Sequence, residues 1–138
     1  MHIHANSFFT VAFFIISGVT VSFEQSSYSL TEGNIVQVCA LLSSESALDI
    51  TVTVNLSITG GTAVQNSDYV LPGQVLTFMT REMRSCVFAG AINDAILEED
   101  ESFTLMLESN NMAVLISPTN GVTTVMIPNQ NSEYIIVT

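Results

Sequence analysis

The chain has 138 residues, of which 48% are hydrophobic and 11% are charged. This composition excludes an intrinsically disordered protein, which combines low hydrophobicity with a high charge density. Thirteen acidic residues against Arg81 and Arg84 give a formal net charge of −11. Nucleic acid and direct lipid binding are therefore not expected, because the phosphates would be repelled. The length suits one domain with a hydrophobic core.

The N-terminal segment differs from the rest of the chain. Residues 8–16 read FFTVAFFII and are followed by small residues that include Gly18. This run is shorter than the roughly 20 apolar residues of a membrane span, and it predicts a secretory signal peptide over residues 1–18. Because residues 1–7 contain no Lys or Arg, a truncated gene model and a buried first strand stay open as alternatives. The predicted location is secreted or on the extracellular face of the cell surface.

Short runs of alternating polarity, bounded by turn residues, predict seven strands. In chain order they are A (19–30, broken near Ser26), B (35–42), C (50–59), D (75–79), E (85–92), F (102–107) and G (122–127). Seven strands at this spacing predict an all-β, seven-stranded immunoglobulin-like Greek-key sandwich over residues 19–131. Residues 132–138 are interpreted as a tail or as the start of a linker.

The acidic residues are unevenly distributed over the predicted connections. If each strand reverses the last, the A–B, C–D and E–F connections and the end of strand G meet at one pole. Seven carboxylates lie in these connections: Glu32, Asp68, Asp94, Glu98, Glu99, Asp100 and Glu101. Converging carboxylates repel one another, and calcium relieves that repulsion because it accepts six to eight oxygen ligands in irregular geometry. The alternative is a solvated acidic rim around residues 98–101.

Zinc is a weaker candidate for this pole, because no histidine accompanies the acids. The only histidines, His2 and His4, lie in the predicted signal peptide.

Four segments together resemble the Calx-beta domain, which is known from sodium–calcium exchangers, integrin subunits and large extracellular adhesion proteins. They read VSFEQSSYSLTEGN at 21–34, GGTAVQNSDY at 60–69, LTF at 76–78 and AINDAILEEDESFTLML at 91–107. The resemblance covers residues 19–131. It implies a set of metal ligands drawn from three connections: Glu32, Asp68, Asn93, Asp94, the carbonyl of Ile96, Glu98 and Glu101. Glu99 and Asp100 are expected to face solvent or to orient these neighbours.

The chain departs from metal-rich members of that family at two places. Residues 93–95 read Asn-Asp-Ala and residues 129–131 read Asn-Gln-Asn, where those members have Asp triplets. Neutral ligands weaken the attraction for calcium, so we expect one or two ions bound weakly, with dissociation constants of about 10⁻⁴–10⁻³ M.

Cys39 and Cys86 fall on strands B and E, which are neighbours in this fold, and alternation directs both thiols outward. Either a cross-strand disulfide or two unpaired thiols fits this placement. The only N-glycosylation sequon is Asn55–Leu56–Ser57, and Asn55 is expected to face outward on strand C.

Enzymatic activity is not expected, since the region after residue 18 contains no His, Lys or Trp and therefore lacks the usual proton shuttle. The leading hypothesis is a calcium-binding extracellular module for adhesion or cell communication, in which the ion stiffens one pole. Neighbouring domains or other extracellular proteins are its expected partners. The alternative is a calcium-independent spacer or protein-interaction sandwich.

Overall fold

A computed structural model describes residues 18–43, 51–93 and 99–129. Within these ranges there are ten strands: β1 (Val19–Phe23), β2 (Ser27–Ser29), β3 (Ile35–Leu42), β4 (Val52–Gly61), β5 (Tyr69–Val70), β6 (Val75–Phe78), β7 (Arg84–Ala91), β8 (Glu101–Glu108), β9 (Val114–Ile116) and β10 (Val122–Ile127). The all-β class is confirmed, but the strand number of seven is wrong. The predicted signal peptide up to residue 17, the predicted tail and the candidate ligands Asp94, Ile96 and Glu98 lie outside the described residues.

Two five-stranded sheets face each other. Sheet A has the order β5-β7-β3-β1-β9, and sheet B has the order β2-β10-β8-β4-β6. Among the described strands, pairing is antiparallel except where β1 meets β9 and where β2 meets β10. The β2–β10 pairing arises because predicted strand A leaves sheet A after β1 and enters sheet B as β2, and the β1–β9 pairing arises because β9, which precedes β10 in the chain, lies in sheet A.

The crossing between β1 and β2 leaves backbone groups of β3 that need new partners. Beyond the end of β1 at Phe23, the carbonyl of Cys39 still accepts from the N–H of Glu24 at 2.9 Å. The N–H of Cys39 donates to the side-chain hydroxyl of Tyr28 at 3.2 Å. On the other side, the buried hydroxyl of Thr123 donates to the carbonyl of Gln25 at 2.9 Å. These bonds satisfy buried polar groups whose loss would cost about 1–3 kcal/mol each.

The alternating residues of both sheets meet in one core. Phe78, Phe103, Leu105 and Val125 are completely buried there, and each such side chain contributes about 1.5–3 kcal/mol relative to exposure. The ring of Tyr69 stacks on that of Phe103, with centroids 3.7 Å apart and an interplanar angle of 5°.

The strands β5 and β9 escaped the sequence prediction because they have only two and three residues, too few to show alternation. The pair Gly60–Gly61 lies beyond the predicted end of strand C at residue 59, yet it forms the last two residues of β4, after a register shift between Ile58 and Gly60. Gly61 has φ 111°, and a Cβ there would lie 2.1 Å from the carbonyl oxygen of Ser102. Glycine is therefore required by close strand approach rather than by a reversal.

Cys39 and Cys86 lie directly opposite each other on β3 and β7 and form a disulfide, with their Cα atoms 4.0 Å apart. Cys39 alternates with the core residues Val38 and Ala40 and is not part of the core cluster, but it is only 1% exposed, so this side chain is covered on its own face of the sheet. A reason is visible nearby: Arg84 of β7 donates two hydrogen bonds to Glu24, at 2.9 and 3.1 Å. This ion pair crosses β3 beside Cys39.

The disulfide should stabilise the fold by restricting the unfolded chain. The two cysteines are 47 residues apart, and closing a loop of that size is worth about 2–4 kcal/mol. We expect the double variant Cys39→Ser, Cys86→Ser to lose that free energy of unfolding in urea denaturation. Reductant should destabilise the wild-type protein and leave the double variant unchanged. Equal stability of the two proteins without reductant would contradict the expectation.

The Glu24–Arg84 pair predicts a pH dependence. The hydrogen bond from Arg84, followed by its charge, lowers the pKa of Glu24 below the ordinary value of 4.5, and the same bond raises the pKa of Arg84. Because the folded-state pKa is the lower one, the pair's contribution is complete above the ordinary value and disappears as pH falls through the folded-state value.

The variant Glu24→Gln should therefore have a lower urea midpoint than wild type at about pH 7, and the two midpoints should converge in acid. Arg84→Lys is the matched control, because it keeps the charge and loses the two-bond geometry; its midpoint should fall between the other two. A constant difference between wild type and Glu24→Gln down to acid pH would exclude this role.

Candidate functional site

Five segments meet at one end of the sandwich, which we call the loop pole. They are residues 30–34, 62–68, 92–93, 99–101 and 128–129. Reversal of successive strands brings them together, as the sequence predicted for the described parts of the three connections. Backbone hydrogen bonds then determine how closely they are joined.

The first set of bonds joins the segment of Glu32 to the ends of β7 and β5. Gly33 donates to the carbonyl of Ala91, and Ala91 donates to the carbonyl of Asn34, both at 3.0 Å. Ile92 donates to the carbonyl of Asp68 at 2.9 Å. Three connections that are distant in sequence are therefore linked through two adjacent residues of one strand end.

Asn93 extends this junction toward Glu32. A Cβ placed on Gly33 would lie 3.6 Å from both Cβ and Nδ2 of Asn93, so the Asn93 side chain lies directly against the residue after Glu32. The Oε1 atom of Glu32 is buried from solvent. A carboxylate oxygen and an amide side chain thus lie on adjoining segments at this side of the pole.

Asp68 is held by its own turn. Its Oδ2 accepts a hydrogen bond from the N–H of Val64 at 2.7 Å, and its N–H donates to the carbonyl of Val64 at 2.8 Å. Within the turn, Asn66 adopts φ 70°, a conformation that asparagine tolerates better than most residues. The turn fixes the direction of the Asp68 carboxylate before any ligand arrives.

The stacked rings of Tyr69 and Phe103 anchor the Asp68 turn to β8, two residues beyond Glu101. Burial raises the pKa of the Tyr69 hydroxyl, and the negative charge of Asp68 raises it further. Both effects favour the neutral form of the Tyr69 hydroxyl.

A second set of contacts joins the other side of the pole. Ala63 donates to the carbonyl of Ser102 at 2.9 Å, and Ser102 donates to the hydroxyl of Thr62 at 3.2 Å. The Oδ1 atom of Asp100 accepts from the N–H of Asn129 at 2.6 Å. A shallow depression of about 330 Å³ lies between these segments, lined by Thr62, Glu99, Asp100 and Glu101.

Two features of this side of the pole were not predicted from the sequence: the position of Thr62 and the backbone contact of Asp100. Thr62 lies in the GTA part of the resemblance, and its hydroxyl lies at the depression. Asp100 was expected to face solvent or to orient its neighbours, and it binds the backbone where strand G ends. The alternating polarity of residues 101–107 places Asp100 just before a strand, which is the signal that could have suggested a structural contact.

The chemistry of the described donors suits a hard cation. Glu32, Asp68, Asn93 and Glu101 offer only oxygen as metal-binding atoms, the type of ligand that calcium prefers. Within residues 18–43, 51–93 and 99–129, however, no three acidic, histidine or cysteine side chains are grouped closely enough to hold a metal ion. The candidate ligands Asp94, Ile96 and Glu98 lie outside these ranges, so the described residues form a partial set.

No helix in the described part of the chain is long and apolar enough to cross a membrane.

Comparison with known proteins gives a family and a fold. The Calx-beta domain profile matches residues 17–131, whereas no curated protein matches the chain. Among solved structures, the apo-form Calx CBD1 domain superimposes with a TM-score of 0.71 and 23% identity, over 82% of this chain and 98% of that one. The calcium binding domain CBD12 of CALX1.1 superimposes with a TM-score of 0.67 and 23% identity, over 82% of this chain and 44% of that one. The Calx CBD2 domain superimposes with a TM-score of 0.67 and 16% identity, over 86% of this chain and 91% of that one.

Proposed function

Because this chain belongs to the Calx-beta domain family, we propose that it is a calcium-binding module whose ions lie at the loop pole. The observation that carries this proposal is the backbone junction at Ala91 and Ile92, which joins the segment of Glu32 to that of Asp68. A solved structure with the same fold, CBD12 of CALX1.1, is described as a calcium binding domain. Its likeness adds support but does not identify ligands in this chain.

The proposed ligands come from three connections, and two of the described ones, Asp68 and Asn93, are positioned by contacts within the protein itself. Asp68 is oriented by the N–H of Val64, and Asn93 lies against Gly33. The remaining proposed ligands are Glu32, Asp94, the carbonyl of Ile96, Glu98 and Glu101. Asn93 is neutral, and Asn129 stands where metal-rich relatives have an acid, so we propose one or two weakly bound ions.

The proposed consequence of ion binding is a stiffer loop pole. Without calcium, backbone hydrogen bonds join the segments while their carboxylates repel one another. An ion shared by the connections would replace that repulsion with attraction and would tie the segment 94–98 to the fixed positions at 68 and 93. In a tandem array, this pole would set the angle to the next domain.

We propose an extracellular setting for this module, in adhesion or cell communication and without a catalytic role. The disulfide between Cys39 and Cys86 supports this setting, because such bonds persist in oxidising compartments. The apolar run at residues 8–16 supports export by the secretory route.

Calcium titration of the protein, followed by NMR, tests the proposed ligands. We expect shifts at the amides of residues 91–101, with a dissociation constant of about 10⁻⁴–10⁻³ M. Asp68→Asn keeps an oxygen for the Val64 N–H and removes one charge, so it should weaken binding by roughly tenfold, since affinity follows ligand charge. Glu101→Gln should act in the same direction.

Glu108→Gln is the matched control, because Glu108 is an exposed carboxylate at the opposite end of β8. It should leave the calcium affinity unchanged. Equal weakening by Glu108→Gln and Asp68→Asn would reveal a diffuse charge effect rather than a site, and the absence of shifts at several times the expected dissociation constant would exclude calcium.

Thermal unfolding distinguishes the calcium-responsive module from a calcium-independent spacer. Calcium at about 100 times its dissociation constant should stabilise the fold by about 2.7 kcal/mol, and a chelator should reverse that gain. Magnesium is the control ion, because it requires stricter octahedral geometry, and its effect should be smaller. A melting temperature that does not respond to calcium or chelator would leave the spacer as the function.

A further inference from the structure

Among the strands that the structure describes, β6 (Val75–Phe78) is the last of sheet B and pairs with β4 alone. Leu56 donates to the carbonyl of Gln74 at 2.8 Å, which makes this opposed pair a hydrogen-bonded one. Because hydrogen-bonded and non-hydrogen-bonded pairs alternate in an antiparallel ladder, Val75 and Thr77 direct their N–H and C=O groups to the open side. The edge therefore presents donors and acceptors to which another strand can pair.

Charge and proline, two of the usual protections of an edge strand, are absent from this one. Residues 73–80 read GQVLTFMT and contain no charged residue and no proline, whereas natural edges are commonly blocked by Lys, Pro or a bulge. Val75 is 50% exposed and Met79 is 55% exposed. An uncharged strand of high β propensity with exposed apolar side chains is a site for edge-to-edge association.

Asn55 lies directly opposite Val75 on β4. Their pair is of the non-hydrogen-bonded kind, in which Cα atoms approach to about 4.5 Å. Asn55 and Ser57 lie on the outer face of sheet B, while Leu56 between them is buried in the core. The sequon therefore presents its asparagine to solvent one strand spacing, about 4.8 Å, from the open edge.

We propose that Asn55 carries an N-linked glycan that covers the β6 edge. In this reaction the Nδ2 atom of Asn55 forms a bond to the anomeric carbon of an oligosaccharide carried on a lipid diphosphate. The bond from that carbon to the diphosphate oxygen breaks, the lipid diphosphate leaves with the bonding electrons, and Nδ2 loses one proton. The secretory compartment supplies this donor. The proposal rests on the secretory route of the proposed function and not on calcium binding.

The position of β4 determines when the transfer occurs. Asn55 is flanked on one side by Val75 of β6 and on the other by Glu108 of β8, so the folded sheet holds its backbone on both sides. The transfer therefore precedes the pairing of β4. The glycan then stays on the outer face, because no buried residue must move to accommodate it there.

The experiment is expression of the full chain in a eukaryotic secretory cell, with the mass of the exported protein measured before and after peptide N-glycosidase treatment. Wild type and Ser57→Thr, which keeps the sequon, should lose mass on treatment. Asn55→Gln and Ser57→Ala, which remove the sequon in two independent ways, should not. Exported wild-type protein without a glycan overturns the proposal, and so does failure of the chain to enter the secretory route.

Light scattering tests the covering of the edge. Asn55→Gln and the deglycosylated wild type should associate as concentration rises, while the glycosylated protein stays monomeric. Adding Thr77→Lys to Asn55→Gln places a charge on β6 and should restore the monomer. Monomeric behaviour of Asn55→Gln at every concentration would overturn the covering role. Asn55→Gln should bind calcium with the same affinity as wild type. A negative result for the glycan proposal can therefore be distinguished from a negative result for the calcium site.

Discussion

The ladder between β3 and β7 is the constraint on which most of this structure depends. Near one end it carries the disulfide between Cys39 and Cys86, and at the other end its last bonds join Asn34 to Ala91. The next residue, Ile92, reaches the Asp68 turn. Four residue pairs of this ladder lie between the disulfide and the junction that gathers the loop pole, so the geometry of the pole depends on the sheet rather than on the loops alone.

The carboxylates of the pole have two different roles. Asp100 accepts a backbone hydrogen bond from Asn129 and closes the end of sheet B, while Asp68 is oriented by its own turn beside a buried tyrosine. A run of acids in the sequence does not reveal which member supports the backbone and which is available to a ligand. The distinction comes from pairing partners far along the chain.

Much of the fold could be predicted because alternating polarity is a local property. Strands β3 and β10 have the predicted bounds, and the pole was correct in its described parts because it requires only successive reversals. The short strands β5 and β9, the register shift between Ile58 and Gly60 and the burial of Cys39 could not be predicted, since each depends on contacts between distant segments. The hydrogen bond from the N–H of Cys39 to the hydroxyl of Tyr28 could not be predicted either, because it joins β3 of sheet A to β2 of sheet B.

The division of the first predicted strand into β1 and β2 has a mechanical consequence. The domain enters at Val19, at the end away from the loop pole, and β10 leads out at the pole itself. Because β2 runs parallel to β10 with three residue pairs in register, tension between these two ends would slide the strands along each other. Their hydrogen bonds would then bear the load together instead of opening one after another, which is the arrangement that resists extension.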